Sequence, residues 1–326
     1  MSVTTEIERI KTNIANAYTE LKNKNATIPS VENSEGLPGA IASITTGGGT
    51  PITKGLIINE FDSAGLPIDA ELVGMTGVPS YYFYCFKGAA DSYKPFFKRL
   101  EKLKLSDDIT QIGMCSFYCN YALKITELPK NLRSFGTSAF EECSNLALTS
   151  LPEGVDNITE RCFYNCTKLA LTSLPDSVYA VGERTFQNCS NITISKLPNI
   201  LRLIGQYAFS GCSKITIKEI PEGVTNLQSN SFYGCSGITE LTVKGNVTQI
   251  GTYVFYNCSN LNKLVFSNIT NVPTLSNVNA FTGTTPIQKG TGYIYVPDDL
   301  VSSFQSASNW STIASQIKPI SELPTE

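Results

Sequence analysis

Phenylalanine returns at a fixed interval of 23 residues in this chain. Phe117, Phe140, Phe163, Phe186, Phe209, Phe232 and Phe255 keep that step without a slip. Cys143, Cys166, Cys189, Cys212, Cys235 and Cys258 keep it too, and the string LALTSLP stands unchanged at Leu146–Pro152 and Leu169–Pro175. A period of this size means coils of chain that bury their apolar residues only by stacking on their neighbours, which is a solenoid.

Each slot of the repeat has a physical reading. Leu146, Leu148 and Leu151 are apolar positions in a short Thr- and Ser-containing run, the pattern of a strand with one covered face. Proline follows at Pro129, Pro152, Pro175, Pro198 and Pro221; without an N–H it suits the end of a strand. A second apolar slot precedes glycine in Ile112-Gly113, Phe135-Gly136, Val181-Gly182, Ile204-Gly205 and Ile250-Gly251, while Ile158 and Leu227 fill it without one. Asn165, Asn188, Gly211, Gly234 or Asn257 stands before the repeat cysteine, which predicts a tight turn with positive φ. Glu142 departs from that rule. Each Phe then fills the interior, with the thiol in a smaller gap beside it.

The ten cysteines would suggest disulfides in a small secreted protein, but six fall at the repeat period. They read instead as a ladder of reduced, buried thiols about 4.8 Å apart. Cys115 with Cys119 and Cys162 with Cys166 have a spacing that suggests zinc. Yet Cys162 occupies the slot of Ala139 and Ala208, and the chain contains no histidine, so no metal and no cofactor are expected. The net charge of −3 argues against nucleic acid as a partner, and no apolar run is long enough for membrane insertion. The first 20 residues mix Glu, Arg, Lys and Asn, unlike a secretion signal, so the chain is expected to start in a cytoplasm.

The beginning of the chain follows another rule. Val3, Ile7, Ile10, Ile14, Ala17 and Leu21 have the 4-3-4-3-4 spacing of a coiled-coil seam, and Thr5 with Glu8 fits a capping box. Isoleucine at both seam positions favours three or four strands, and three heptads make a rod about 30 Å long. Two readings stand: self-association, taken here as a homotrimer, or an amphipathic helix lying on its own domain or on another protein. The expected organisation is a helical attachment and oligomerisation module over 1–46, a Gly-rich linker over 47–54, an irregular cap over 55–102, regular repeats over 103–285 and a closing cap over 286–326. In the last segment Tyr293–Val296 reads as a strand stopped by Pro297. Asp298 or Asp299 is placed to cap a helix carrying Leu300, Val301 and Phe304, and Trp310 reads as a plug over the last coil rather than a ligand platform.

Units such as VTQIGTYVFYNCSNLNKL at Val247–Leu264 resemble the BspA-like leucine-rich repeats. The likeness covers roughly residues 70–320 and implies a mainly β solenoid. Ile7–Leu37 resembles the amino-terminal module of structural proteins of phages that infect Gram-positive and gut bacteria, and Gly292–Leu323 resembles the closing segment of their repeat proteins. That resemblance implies a fibre or baseplate-associated tail protein more than a head fibre or decoration protein.

The expectation for function is therefore a virion protein assembled in the bacterial host cytoplasm. Its amino-terminal module would join other virion proteins, and its repeat surface would bind a host cell-surface glycan or protein. Candidate receptor contacts are the polar strand positions Thr149, Ser150, Thr172, Ser173, Ser195, Lys196, Lys218 and Glu219, for which the competing reading is ordinary solvated surface. A bacterial cell-surface adhesin is the alternative. It would be expected to carry an export signal and an anchor, and only Leu323-Pro324-Thr325-Glu326 faintly resembles one. An enzyme is not expected: without histidine the Ser-His-Asp and Cys-His systems are excluded, and Glu141-Glu142 and Asp298-Asp299 read as surface and cap residues.

Overall fold

A flat aromatic ring buried at the same point of every coil can touch its equivalents above and below, and the fold is organised by that contact. The computed structural model describes residues 55–63, 66–85 and 97–324; the predicted helix and its seam residues, and the linker, lie outside them. Ring centroids of the seven periodic phenylalanines follow one another at 4.8 to 6.0 Å with nearly parallel planes. The column is longer than the period shows. Phe83 stacks on Phe117 at 5.0 Å although the step between them is 34 residues, and Phe281 continues from Phe255 at 5.7 Å after a step of 26.

Both ends of the column are closed by aromatic side chains. Phe97 meets Phe83 edge-on at 4.8 Å. Trp310 packs on Phe281, Phe266 and Phe304, and its indole N–H donates to the Pro273 carbonyl at 2.8 Å. A buried indole with its polar atom satisfied is a plug. Helix is scarce here: Val301–Ser306 and the 3-10 stretch Trp310–Gln316 are the main helical pieces of the closing segment. The predicted aspartate cap is not made. Pro297 and Leu300 occupy the cap positions, and the Asp298 carboxylate instead accepts the Ser321 N–H at 3.1 Å.

The strands begin with a hairpin, β1 (Gly55–Phe61) antiparallel to β2 (Pro67–Val73). After β3 (Gly77–Val78), β4 (Lys102–Leu105) pairs with β2 in parallel, and every later pairing is parallel. The apolar-glycine slots form two-residue strands: β5 (Gln111–Ile112), β6 (Ser134–Phe135), β7 (Asn157–Ile158), β8 (Ala180–Val181) and β9 (Leu203–Ile204). After β10 (Glu219–Ile220), the same column continues as β11 (Asn226–Leu227), β13 (Gln249–Ile250) and β15 (Thr274–Leu275).

The glycine of this slot is explained by close approach. A Cβ at Gly136 would lie 2.3 Å from the Met114 nitrogen, and one at Gly205 2.6 Å from the Glu183 nitrogen. With only hydrogen there, each glycine N–H reaches the carbonyl of the preceding coil, as Gly136 does to Ile112 at 2.7 Å and Gly205 to Val181 at 2.9 Å. Thr159 and Gln228 hold the slot in the other two coils. The ladder breaks at those two places, between β6 and β7 and between β9 and β11. Both breaks fall where the slot lacks glycine.

The Leu-Ala-Leu-Thr-Ser-Leu runs, read above as strands, correct the sequence expectation in the middle of the stack. There each coil makes an isolated inter-coil bond, such as Ala170 N–H to Leu148 at 2.9 Å and Thr193 N–H to Leu171 at 2.9 Å, and no regular strand. Regular pairing on this side is present at β2 and β4, lapses in the middle, resumes at β10 and runs through β12 (Glu240–Val243), β14 (Lys263–Phe266), β16 (Tyr293–Val296) and β17 (Ile317–Pro319). Proline is the reason. Pro152, Pro175 and Pro198 have no N–H to donate, whereas Lys244 and Ser267, which replace it, donate to Ile220 and Val243 at 3.0 and 3.1 Å.

Candidate binding surfaces

The turn between the glycine slot and the cysteine places two residues per coil in the left-handed region. One column is Cys119, Glu142, Asn165, Asn188, Gly211, Gly234 and Asn257, with φ between 56° and 76°. Glu142 adopts the conformation despite its side chain, and its carboxylate accepts from the Asn165 amide at 2.8 Å. The other column, Cys115, Ser138, Arg161, Arg184, Tyr207, Asn230 and Tyr253, carries no glycine at all and was not visible as a turn in the sequence.

That turn aims the cysteine inward. All six repeat thiols are buried, and each S–H donates to the phenylalanine carbonyl of the preceding coil, at 2.9 Å for Cys143 to Phe117 and 3.0 Å for Cys189 to Phe163. The thiol is thus both small filler and hydrogen-bond donor, which a methyl group would not be. Burial pushes Cys258 and Cys85 up to about 12, and Cys143, Cys166, Cys212 and Cys235 well above the ordinary thiol range. Held as thiols, they are poor nucleophiles and poor metal ligands. All ten cysteines are free, and no cluster suited to a metal ion stands among the described residues. With a water-soluble disulfide reagent at pH 8, Cys115 is expected to react first because it alone is half-buried, and the others only on denaturation. Labelling of Cys189 in the folded protein at a comparable rate, read by peptide mass spectrometry, would show that the stack opens.

Three faces surround this core. The first carries the predicted receptor contacts. Thr149, Ser150, Thr172, Ser173, Ser195, Lys196, Lys218 and Glu219 are all exposed, on four consecutive coils, beside buried Leu148, Leu171, Ile194 and Ile217. Glu219 is engaged, its carboxylate 2.7 Å from the Lys244 ammonium. Cross-coil pairs also line this face towards both ends: Lys104 with Glu71, Lys124 with Glu101 and Lys263 with Glu240. The two LALTSLP runs between them carry no charged residue and are hydroxyl-rich.

The second face is the outer side of the two-residue strands. Its outward positions are mostly polar: Gln111, Ser134, Asn157, Asn226 and Gln249. The third, formed by the left-handed turns, was missed. Tyr84 stacks on Tyr118 at 5.1 Å and Tyr233 on Tyr256 at 5.0 Å. The guanidinium of Arg161 lies 4.4 Å from the Tyr164 ring centre, and that of Arg184 lies 4.2 Å from Tyr207. The signal was present as the repeated Phe-Tyr pairs at 117, 163, 232 and 255. There the second aromatic must point away from the core that the first one fills.

Glu141 corrects another expectation. It is 2 % exposed, not a surface residue, and Arg161 binds both its carboxylate oxygens, with Nε to Oε2 at 2.8 Å and Nη2 to Oε1. The bidentate carboxylate raises the Arg161 pKa further, so the guanidinium stays charged.

A family model described as BspA type leucine rich repeat region matches residues 94–193 and 181–292, in six copies. The chain belongs to that family. Solved leucine-rich repeat proteins are among those the chain is similar to. A leucine rich repeat protein of T. pallidum is 24% identical over 62% of this chain and 86% of its own, with a TM-score of 0.42. The pneumococcal vaccine antigen PcpA is 19% identical over 81% and 71%, with a TM-score of 0.44. A leucine rich cell surface protein of Faecalibacterium prausnitzii A2-165 is 17% identical over 83% and 93%, with a TM-score of 0.35. No curated protein matches the chain. Among the described residues no helix is long and apolar enough to cross a membrane.

Proposed function

We propose that this BspA-type protein is a non-catalytic receptor-binding component of a phage particle. In this reading the chain is a homotrimer, joined to other virion proteins through residues 1–46 on a tail fibre or baseplate. Its repeat stack is offered to a glycan or protein of the host cell surface. The observation that carries the binding role is the first face: eight exposed polar side chains on four coils whose backbones are tied together by inter-coil hydrogen bonds. A surface already ordered loses little conformational freedom on contact, and trimeric display multiplies weak contacts through effective concentration. The non-catalytic reading is supported by the repeat thiols, which donate to carbonyls, and by Glu141, which is held by Arg161. Assignment to a particle draws on the likeness of Ile7–Leu37 and Gly292–Leu323 to phage structural proteins. Family membership fits a bacterial cell-surface adhesin equally well, and immunogold labelling of purified particles against cell envelopes separates the two.

The test of binding uses fluorescent full-length protein on a panel of Gram-positive and gut bacterial cells. The double substitution Thr149→Glu and Thr172→Glu, on exposed side chains where stability should change by no more than about 0.5 kcal/mol, is expected to reduce retention at least tenfold. Unchanged retention removes the first face from the binding role, and release of sugar fragments from host envelopes replaces adhesion with catalysis. Light scattering is expected to give a trimer for the full chain, and a monomer retires the coiled-coil seam.

A further inference from the structure

A repeat protein shows its own expectation at every position, so a departure at an exposed slot stands out against its neighbours. On the second face, residue 179 and its equivalents read Thr110, Arg133, Asp156, Tyr179, Arg202, Thr225 and Thr248. The slot of Leu203 holds Gln111, Ser134, Asn157, Asn226 and Gln249 in other coils, and the slot of Ile200 holds Asn131, Gly154, Ser177, Gly223 and Asn246. Tyr179, Ile200 and Leu203 are nonetheless 45%, 50% and 41% exposed. Tyr179 and Leu203 are neighbours on adjacent coils, and Ile200 precedes Leu203 by three residues. The Arg202 and Leu203 N–H groups both point to the Tyr179 carbonyl, at 2.9 and 3.4 Å, and Ala180 pairs in register with Leu203. Arg202 is exposed beside them and has no carboxylate partner among the described residues.

The fold does not need these side chains, because polar or small residues fill the same slots in the other coils. Exposed apolar surface that the core does not require marks an interaction site, and tyrosine with arginine at the centre of an apolar cluster is the composition of a binding hot spot. We propose that Tyr179, Ile200, Leu203 and Arg202 form a protein-binding site, distinct from the hydroxyl-rich first face, for a partner segment that presents an apolar side chain next to a carboxylate. The branched aliphatic groups of Ile200 and Leu203 favour a protein over a glycan, since they have no polar tip to pair with hydroxyls. Arg202, without a carboxylate partner among the described residues, supplies the demand for an acidic group. This site does not depend on the virion assignment or on the first face.

The experiment selects a displayed library of random twelve-residue peptides on immobilised full-length protein, then measures the enriched peptide by fluorescence anisotropy. Peptides pairing an aromatic or aliphatic residue with Asp or Glu are expected. Tyr179→Thr with Leu203→Asn, which install the residues of the coils at 225 and 226, should weaken binding tenfold or more with the far-ultraviolet circular dichroism spectrum unchanged. Arg202→Gln should weaken it several-fold and flatten its dependence on salt. Thr149→Glu with Thr172→Glu should leave it intact. The proposal is overturned by enrichment of peptides without acids or by peptides indifferent to these substitutions. It is equally overturned by glycan-array binding that the Tyr179 and Leu203 variants abolish, or by self-association of the wild type that those variants remove.

Discussion

Phe186→Ala is expected to destabilise the protein by about 3–5 kcal/mol, the usual cost of emptying a fully buried aromatic site. Phe186 is wholly buried between Phe163 at 5.7 Å and Phe209 at 5.6 Å, in the middle of the ring column. The shape of the unfolding curve should change as well. In a solenoid each coil is stabilised only by its neighbours, so a cavity at mid-stack weakens the coupling between the two halves. Trp310 is the only tryptophan and reports the carboxy-terminal end alone, whereas circular dichroism reports the whole stack. In urea the two signals are expected to coincide for the wild type and to separate for Phe186→Ala. Phe186→Leu, which retains most of the volume, should cost only about 1.5 kcal/mol. A variant with an unchanged midpoint and coincident signals would show that the rings fill space without holding the stack together.

Arg161→Ala should cost nearly as much, for an electrostatic reason. Removing the guanidinium leaves the carboxylate of Glu141, whose side chain is 3% exposed, without its bidentate partner. Stripping one partner from a buried pair typically costs about 3–5 kcal/mol, because the remaining charge is neither hydrated nor matched. The proof lies in the double variant. Glu141→Leu with Arg161→Ala removes the stranded charge while residue 161 stays truncated, and is expected to recover most of the loss, which a simple packing defect at residue 161 would not allow. The measurement is a double-mutant cycle in urea at neutral pH. Additive losses would place the cost in the left-handed backbone at Arg161, where φ is 53°, rather than in the ion pair.

Stacking was legible because a solenoid writes its architecture as a period. One Phe, one Cys and one apolar-glycine slot per coil were enough to predict parallel coils, buried thiols and a left-handed turn before the cysteine. The same signal failed wherever the period slipped. Phe83 and Phe281 belong to the ring column, but 34 and 26 residues separate them from their neighbours in it. No spacing rule connects them to it: the aromatic run over residues 81–86 reads as an off-register coil from composition alone, and Phe281 is placed only by its stacking. The strand expectation for the LALTSLP runs failed differently, because apolar alternation records which side is covered and not whether the backbone finds partners. The prolines that end those runs remove the donors that Lys244 and Ser267 provide later in the stack.

The candidate surfaces divide along the same line. Alternation alone marked Thr149, Ser150, Thr172, Ser173, Ser195, Lys196, Lys218 and Glu219 as outward-facing, and each of them is exposed. Pairings across coils were out of reach: Glu141 looked like a surface carboxylate until Arg161, 20 residues later, was found against it. The sequence by itself determined the repeat, the inward sense of the Phe, Cys and apolar slots, the outward sense of the hydroxyl positions beside them, and the family. Those follow from local chemistry repeated at a constant interval. The tertiary structure decided which rings extend the column, where glycine lets two coils touch, what closes each end and which exposed residues gather into a patch. Those depend on contacts between residues 20 or more positions apart, whose distance in space is set by the stack as a whole.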